Sequence, residues 1–242
     1  MLTIELPSLP NSTIYATYLL LVPTVIKLQK GLKGQSKMSS LNHPDTPNIP
    51  SSSAILGIQS STLVDAPIQV VWNALTDTST YPEWNRFVPR VTVHEQPDSD
   101  VDAILSNGTR FTFHVNMYPE RDDKPQPQKQ TLRDTFLKVI EIEPPESTEP
   151  GDGGLRKGRV VWASDPTADG YVMSSLLTAE RVHELEEVLD GNGKRMTMVT
   201  NWESQVGSLA YVVRWMFGSR LKGNFAVWES GLKEYTERNS EN

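Results

Sequence analysis

Cysteine is missing from the 242-residue sequence. Its absence excludes disulfide bonds, thiolate nucleophiles, iron–sulfur clusters held by cysteine and zinc sites with thiolate ligands. Disulfide bonds persist in oxidising compartments, and a chain without them fits a reducing one. The composition therefore favours a cytoplasmic protein whose chemistry depends on other side chains.

Basic residues are scarce relative to acidic ones. The chain has 23 lysines and arginines against 30 aspartates and glutamates, which gives a formal net charge of −7. A protein that binds nucleic acid needs a basic surface to displace counterions from phosphates. The charge balance therefore predicts that nucleic acid is not a partner of this protein.

Sequence motifs that bind metals, phosphates or cofactors are also lacking. The four histidines show no short-range pairing of the kind that metal sites use. Residues 151–154 contain three glycines, but they lie in an acidic loop, not between a strand and a helix where a phosphate-binding loop would lie. No Gly-x-Ser-x-Gly elbow is present. We therefore expect no metal and no cofactor.

The longest apolar run is too short to span a membrane. Residues 14–26 are hydrophobic at ten of thirteen positions, whereas a bilayer-spanning helix needs about 20 apolar residues. Residues 39–53 are rich in serine and proline, a linker composition that cannot bury enough surface to fold. We therefore predict that residues 1–53 form a poorly ordered extension and linker, whose removal leaves the stability of the domain unchanged.

Two alternatives remain open for this extension. A short apolar helix followed by lysines is typical of segments that rest on an anionic membrane surface. Residues 14–37 have this pattern, and they would then make a weak peripheral contact with a membrane. The extension could also lie upstream of a translation start at Met38.

From residue 54 onward the hydrophobic pattern is that of one globular domain. Loose alternation over residues 54–64 predicts a first strand. Pro67 suits the first turn of a helix, and a second short helix is expected from residue 77 or 78 to about Phe87. Six strand-like stretches follow, over residues 90–95, 109–117, 131–142, 158–164, 179–188 and 195–204.

The last predicted element is a long helix over residues 208–237. Its apolar positions recur at intervals of four, three, four and three, which indicates one continuous buried stripe. The stripe consists of Leu221, Phe225, Trp228, Leu232 and Tyr235. Gly218 and Gly223 weaken the middle of the helix, where we expect a bend or break. The order of elements predicts an α+β fold in which the terminal helix covers one face of an antiparallel sheet.

Four segments resemble the SRPBCC superfamily, which includes START-like lipid carriers, birch-pollen-allergen-like proteins and polyketide cyclases. Residues 61–77 (STLVDAPIQVVWNALTD) and 81–87 (YPEWNRF) resemble the opening of that family. Residues 200–207 (TNWESQVG) resemble its last strand and glycine, and residues 225–237 resemble its terminal helix. The likeness covers most of the chain from residue 54 onward.

This resemblance implies a helix-grip domain over residues 54–242. A curved antiparallel sheet would wrap around the long helix, with two short helices after the first strand and a cavity in between. The resemblance places Trp84 at the entry to that cavity, where it could stack on a planar ligand or simply anchor the short helix. The aromatic side chains expected to contact a small hydrophobic ligand are Trp84, Phe87, Phe113, Trp162, Tyr211 and Trp215.

Candidate catalytic residues lie on the last two strands. Alternation puts Arg181 and His183 on one face of their strand, and we expect that face to look inward because the outer face should carry most of the charge. A histidine there could move a proton to or from a carbonyl group. Glu203 is a third candidate, as an acid or base. The alternative is structural, with His183 hydrogen-bonded and Glu203 paired with an arginine.

Three functions remain open at this point. One is a cyclase, dehydratase or isomerase that folds a small polyketide- or terpenoid-like substrate of secondary metabolism in a dry pocket. The second is a non-catalytic carrier of a lipid, quinone or other hydrophobic ligand. The third is an adaptor that acts through its surface. The sequence carries no signal for an oligomeric state.

Overall fold

The computed structural model describes residues 43–97, 102–119, 132–147, 154–168 and 176–240. Seven strands and three α-helices follow one another in the predicted order. They are β1 (Leu56–Val64), α1 (Ile68–Thr76), a 3₁₀ turn (Thr78–Thr80), α2 (Tyr81–Trp84), β2 (Arg90–Glu95), β3 (Arg110–Asn116), β4 (Leu132–Ser147), β5 (Arg156–Ser164), β6 (Thr178–Leu189), β7 (Arg195–Val206) and α3 (Ser208–Ser240).

All seven strands belong to one antiparallel sheet with the order β1-β7-β6-β5-β4-β3-β2. The register between β4 and β5 shifts twice, between Val139 and Glu141 and between Glu143 and Glu146. Extra residues of this kind bend a strand and increase its twist, which curves the sheet around α3. The predicted α+β helix-grip architecture is confirmed.

The short helices differ in detail from the prediction. Pro67 immediately precedes α1, as expected for a residue whose missing N–H is not needed there. The predicted second helix is divided in two, a 3₁₀ turn followed by α2. The helix α2 ends at Trp84 and does not reach Phe87. Asn85 follows as its C-cap, and its side-chain Oδ1 accepts a hydrogen bond from the Val88 N–H at 2.8 Å.

The long helix α3 continues without interruption through Gly218 and Gly223, where we expected a bend or break. It packs on the concave face of the sheet through Leu221, Phe225 and Trp228, which are buried in the core. At Gly231 the helix approaches the Trp84 carbonyl so closely that a Cβ atom would collide with it. The two elements can therefore approach this closely only with glycine at that position.

The outer face of the sheet carries a second, smaller apolar cluster of Val161, Val182 and Trp202. Residues 43–50, which we call the strap, lie against this face. The Trp202 indole N–H donates to the Asp45 carbonyl at 3.2 Å, and Ile49 is buried.

Hydrogen bonds to one carboxylate fix the strap. Glu180 on β6 is buried and accepts from the Thr46 hydroxyl at 2.6 Å, from the Asn48 N–H at 2.9 Å and from the Asn48 side-chain amide at 2.7 Å. We expected residues 39–53 to form an unpacked linker, but within that range the strap packs on the sheet. The hydrogen bonds to Glu180, together with the burial of Ile49, hold it there.

The rest of the predicted extension, residues 1–42, lies outside the described residues, and so does the apolar segment 14–37. Within the part of the chain that the structure describes, no helix is long and apolar enough to cross a membrane.

Candidate functional site

Arg181 and His183 lie on the concave face of β6, as the alternation predicts, and both are buried. In the register of the sheet, Arg181 is opposite Trp162 and His183 is opposite Val160 on β5. The two side chains therefore enter the space between the sheet and α3. Their catalytic roles remain a prediction.

His183 is fully buried between two indole rings. Its ring centroid lies 4.3 Å from that of Trp162 and 5.0 Å from that of Trp228. Neither ring nitrogen has a hydrogen-bond partner among the described residues. Burial, together with the nearby charge of Arg181, holds the pKa of His183 well below its usual range. The imidazole is therefore neutral at physiological pH, and its two nitrogens are ready to bind a polar group.

The Arg181 guanidinium lies over aromatic faces. Its central carbon is 3.9 Å from the Phe225 ring centroid and 5.1 Å from that of Trp228, distances at which the ring quadrupole attracts a cation. One terminal nitrogen donates to the Asn201 side-chain oxygen at 3.2 Å, whereas the Nε atom has no partner among the described residues. Burial lowers the pKa of Arg181 to about 10, partly offset by the charges of Glu203 and Glu229. The side chain stays charged at neutral pH.

Asn201 connects Arg181 to a carboxylate on the helix. Its side-chain amide donates to the Ser60 hydroxyl and to Glu229 Oε1, both at 3.0 Å. Burial raises the pKa of Glu229 above its usual range, against the opposing effects of its hydrogen bonds and of Arg181. A chain of hydrogen bonds thus runs from Ser60 on β1 through Asn201 on β7 to Glu229 on α3, and the buried Arg181 joins it at Asn201.

Aromatic rings fill the space around these groups. Phe113 lies 5.5 Å from Trp162 and 6.0 Å from Tyr81, centroid to centroid. Trp84 packs edge-on against Trp228 at 5.9 Å, and Phe87 is buried in the same core. Four of the six predicted aromatic residues, Trp84, Phe87, Phe113 and Trp162, therefore belong to this interior.

Two open grooves reach the interior from the surface. One, of about 310 Å³, lies between β1 and α3 and is lined by His43, Gly57, Ile58, Gln59, Ser60, Lys222 and Phe225. Its wall includes Ser60, which belongs to the chain of hydrogen bonds, and Phe225, whose ring contacts the Arg181 guanidinium. The other, of about 420 Å³, runs between α2 and α3 with Trp84 in its wall. Trp84 thus faces a groove as well as the core.

Two predicted site residues do not lie in this interior, and a third lies at its edge. Tyr211 and Trp215 were expected to wall the cavity, but they are 42% and 84% exposed on the first turns of α3. The helix turns this side away from the sheet, whereas its buried residues Leu209, Ala210 and Leu221 lie on its other side. Glu203 is half-buried, opposite Arg181 in the register, and acts on that residue through its charge.

The sequence pattern alone did not single out several residues that the structure brings together. Phe225 and Trp228 belong to the predicted helix stripe, which indicated packing and gave no reason to place them against Arg181 and His183. Asn201 shares an inward face with Val199, and alternation could have placed it. Ser60 and Glu229 carry no local signal, since only the tertiary fold brings β1 and α3 to the same asparagine.

The arrangement suits chemistry at a carbonyl group. A neutral imidazole in a dry site can accept a proton from a carbon next to a carbonyl, and a fixed guanidinium can stabilise the negative charge that then develops on oxygen. The same groups can also hold a polar ligand without chemistry.

Comparisons with known proteins agree with the fold. Residues 64–225 match the family model described as polyketide cyclase / dehydrase and lipid transport. The chain is 40% identical over 197 residues to oxopyrrolidines biosynthesis cluster protein O of Penicillium oxalicum, which covers 79% of this chain and 92% of that protein. The crystal structure of the hypothetical protein jhp0584 of Helicobacter pylori has a similar fold, with a TM-score of 0.55 at 18% identity, covering 82% of this chain and 99% of that one. The expected relation to the polyketide cyclase group is confirmed.

Proposed function

This chain belongs to the polyketide cyclase / dehydrase and lipid transport family, and from that premise we propose that it binds a small hydrophobic intermediate of secondary metabolism and promotes its cyclisation, dehydration or isomerisation. The observation that carries the proposal is the buried imidazole of His183, which has no hydrogen-bond partner in the described part of the chain and lies near the Arg181 guanidinium. An unpaired polar group in an apolar interior is costly, and such groups concentrate where a protein performs chemistry.

The name of the relative from Penicillium oxalicum supports a substrate class. That protein is named as a member of an oxopyrrolidines biosynthesis cluster, and oxopyrrolidines are five-membered nitrogen rings that carry a carbonyl group. We propose that the substrate here is a comparable molecule, with a carbonyl oxygen and an acidic hydrogen on the adjacent carbon. Its apolar part would lie against the aromatic rings, and its carbonyl would face Arg181.

The proposed step is a proton transfer followed by bond formation. A His183 nitrogen takes the proton from the carbon next to the carbonyl, and the electron pair moves to the carbonyl oxygen, where Arg181 stabilises it. The enolate carbon then bonds to a second carbonyl carbon of the same molecule, and the resulting alkoxide receives the proton from His183. Loss of water from that alcohol would complete a dehydration. Exclusion of bulk water strengthens each electrostatic interaction in this step.

The test is replacement of the gene in the organism that encodes it, followed by mass spectrometry of its metabolites. His183→Leu and Arg181→Met remove the two groups at nearly constant volume. General acid–base catalysis contributes about 100-fold or more, so each variant should lower product formation by at least that factor. His94→Asn is the matched control, because His94 is exposed on β2. Undiminished product formation in His183→Leu would overturn the catalytic assignment.

A second function, the non-catalytic carrier, is favoured by one observation. The described interior is mainly apolar, with aliphatic and aromatic side chains and few polar groups for a demanding reaction. In that case purified protein should retain a hydrophobic compound that native mass spectrometry detects, and His183→Leu should change its uptake without changing its structure. A compound that is chemically altered after incubation with wild type, but not after incubation with His183→Leu, would identify an enzyme.

A further inference from the structure

Exposed apolar side chains concentrate on the first half of α3. Seven large hydrophobic residues are exposed in the described part of the chain, and three of them lie here: Tyr211 (42%), Trp215 (84%) and Met216 (51%). A fourth, Tyr118 (50%), follows β3 and packs against Arg220 of the helix. Tyr211 and Trp215 are four residues apart and therefore lie on one face of the helix. We call this group, together with the basic residues described next, the α3 patch. Three of these four side chains are Tyr or Trp, the residue types enriched at membrane interfaces.

The α3 patch is positively charged, although the whole chain is negative. From residue 208 to residue 228 the helix contains Arg214, Arg220 and Lys222 and no acidic residue. The Arg220 guanidinium lies 4.1 Å from the Tyr118 ring centroid, so that this tyrosine joins the helix surface. Lys222 is exposed three turns beyond Tyr211, on the same face. Aromatic side chains interleaved with cations are typical of surfaces that bind anionic lipid headgroups.

A second copy of this chain fits the patch less well than a lipid surface does. A symmetric dimer places the same patch of both subunits together, which would bring the basic residues of one copy against those of the other. Like charges that face each other across an interface oppose association. An anionic bilayer instead offers phosphates to the arginines and lysine, and its interfacial region accepts the indole and phenol rings.

The patch also adjoins a route to the interior. Lys222 belongs both to the α3 patch and to the wall of the groove between β1 and α3. Phe225, one turn further along, is a buried residue in the wall of that groove, and its ring contacts the Arg181 guanidinium. A hydrophobic molecule that leaves a bilayer at the patch would therefore meet the groove before it meets bulk water.

We infer that the α3 patch docks this protein on membranes that contain anionic lipids, with Trp215 in the interfacial region and the groove between β1 and α3 facing the lipid. Docking does not depend on the catalytic roles of Arg181 and His183. It is therefore measurable without a substrate, and its failure would leave the proposed function untouched.

Co-sedimentation of the full chain with vesicles tests the inference. The vesicles contain phosphatidylcholine alone or with phosphatidylserine as about a third of the lipid, a composition that gives a negative surface potential. We expect binding to the anionic vesicles, and we expect added salt to weaken it because screening reduces surface attraction. Trp215→Ser should lower the partition coefficient by about tenfold, since it removes the most exposed apolar ring. Arg220→Ala/Lys222→Ala should lower it by about fivefold per charge.

Matched variants separate a local effect from a general one. Leu189→Ser removes another exposed apolar side chain, on β6, and Arg133→Ala/Lys138→Ala removes two exposed charges on β4. Both variants should bind vesicles like wild type. Binding that survives Trp215→Ser and Arg220→Ala/Lys222→Ala would place the contact elsewhere in the chain and overturn the inference. A dimer in light scattering that Trp215→Ser converts to a monomer, without vesicle binding, would overturn it in favour of self-association.

Discussion

Both ring nitrogens of His183 lie in the apolar interior without a partner among the described residues, and the native state carries the cost of their lost hydration. Leaving a buried polar group unpaired costs about 1–3 kcal/mol. His183→Leu keeps a similar volume and removes both nitrogens, so the variant should be about 1 kcal/mol more stable in urea unfolding. A residue kept for structure would give the opposite result, and a marked loss of stability would contradict the functional assignment.

The depressed pKa of His183 also predicts a dependence of stability on pH. Its folded-state pKa lies well below the unfolded value, so between the two values the unfolded chain binds one proton more than the folded chain. Stability from this residue is therefore complete above about pH 6.5 and decreases as the pH falls below it, by up to about 1.4 kcal/mol per pH unit.

The comparison of wild type with His183→Leu isolates this dependence. Glu229 and the other histidines are common to both chains, so their titration cancels. The stability difference in favour of the variant should widen between pH 7 and pH 5 in urea unfolding. A difference that stays constant over that range would show that His183 titrates normally, in a more hydrated environment than the structure has.

Residue positions were predictable from sequence only where a strict period applies. The two-residue period of β6 put Arg181 and His183 on one face, and the expectation that the outer face carries most of the charge placed that face inward. Tyr211 and Trp215 were placed wrongly because their aromatic character suggested burial, whereas they lie on the side of the helix opposite to buried residues such as Leu209 and Ala210. The link between Ser60, Asn201 and Glu229 depends on three elements that are distant in sequence, and no local pattern encodes it.

At the scale of elements, the contact between α2 and α3 depends on Gly231. A Cβ atom there would collide with the Trp84 carbonyl, which is backbone and cannot turn aside. Gly231→Ala should therefore destabilise the protein by about 1–3 kcal/mol, the usual cost of overpacking. Trp84 would also shift, and its tryptophan fluorescence should change.

Gly218 provides the matched control for that prediction. It lies in the same helix, and a Cβ atom there would meet nothing within 4 Å. Gly218→Ala should stabilise the helix by up to about 1 kcal/mol, because alanine loses less backbone entropy than glycine. Equal effects of the two substitutions on thermal unfolding would contradict the close approach of α2 to α3.

The order of elements was predictable because each type has its own hydrophobic period, two for the strands and about 3.6 for α3. The 3₁₀ turn before α2 was not predicted. The Asp77 side chain accepts a hydrogen bond from the Ser79 N–H and begins a turn tighter than an α-helix, and the hydrophobic pattern does not report such a bond. The continuity of α3 through two glycines was missed for a related reason. Tertiary packing of Leu221, Phe225 and Trp228 outweighs the weak local propensity.

At the scale of the whole molecule, both faces of the sheet are covered, each by a different kind of interaction. On the concave face, α3 buries a continuous apolar stripe, and that pattern was visible in the sequence. On the convex face, the strap relies on hydrogen bonds to Glu180 and on the contact with Trp202. A serine- and proline-rich composition gave no sign of this, because the partners of the strap lie more than 130 residues away in the sequence.

The contacts of the strap lead to a different prediction from the one based on composition, which was that removal of residues 1–53 leaves the stability of the domain unchanged. A chain that begins at residue 54 lacks the strap, exposes Trp202 and leaves the Glu180 carboxylate without its three donors; a chain that begins at residue 40 keeps them. We expect the shorter chain to be less stable by about 3 kcal/mol, which corresponds to a melting temperature lower by roughly 6–12 °C for a domain of this size. Equal melting temperatures in calorimetry would show that the strap contributes nothing. Glu180→Leu in the full chain should reproduce much of the loss, because it removes the acceptor while keeping the strap covalently attached.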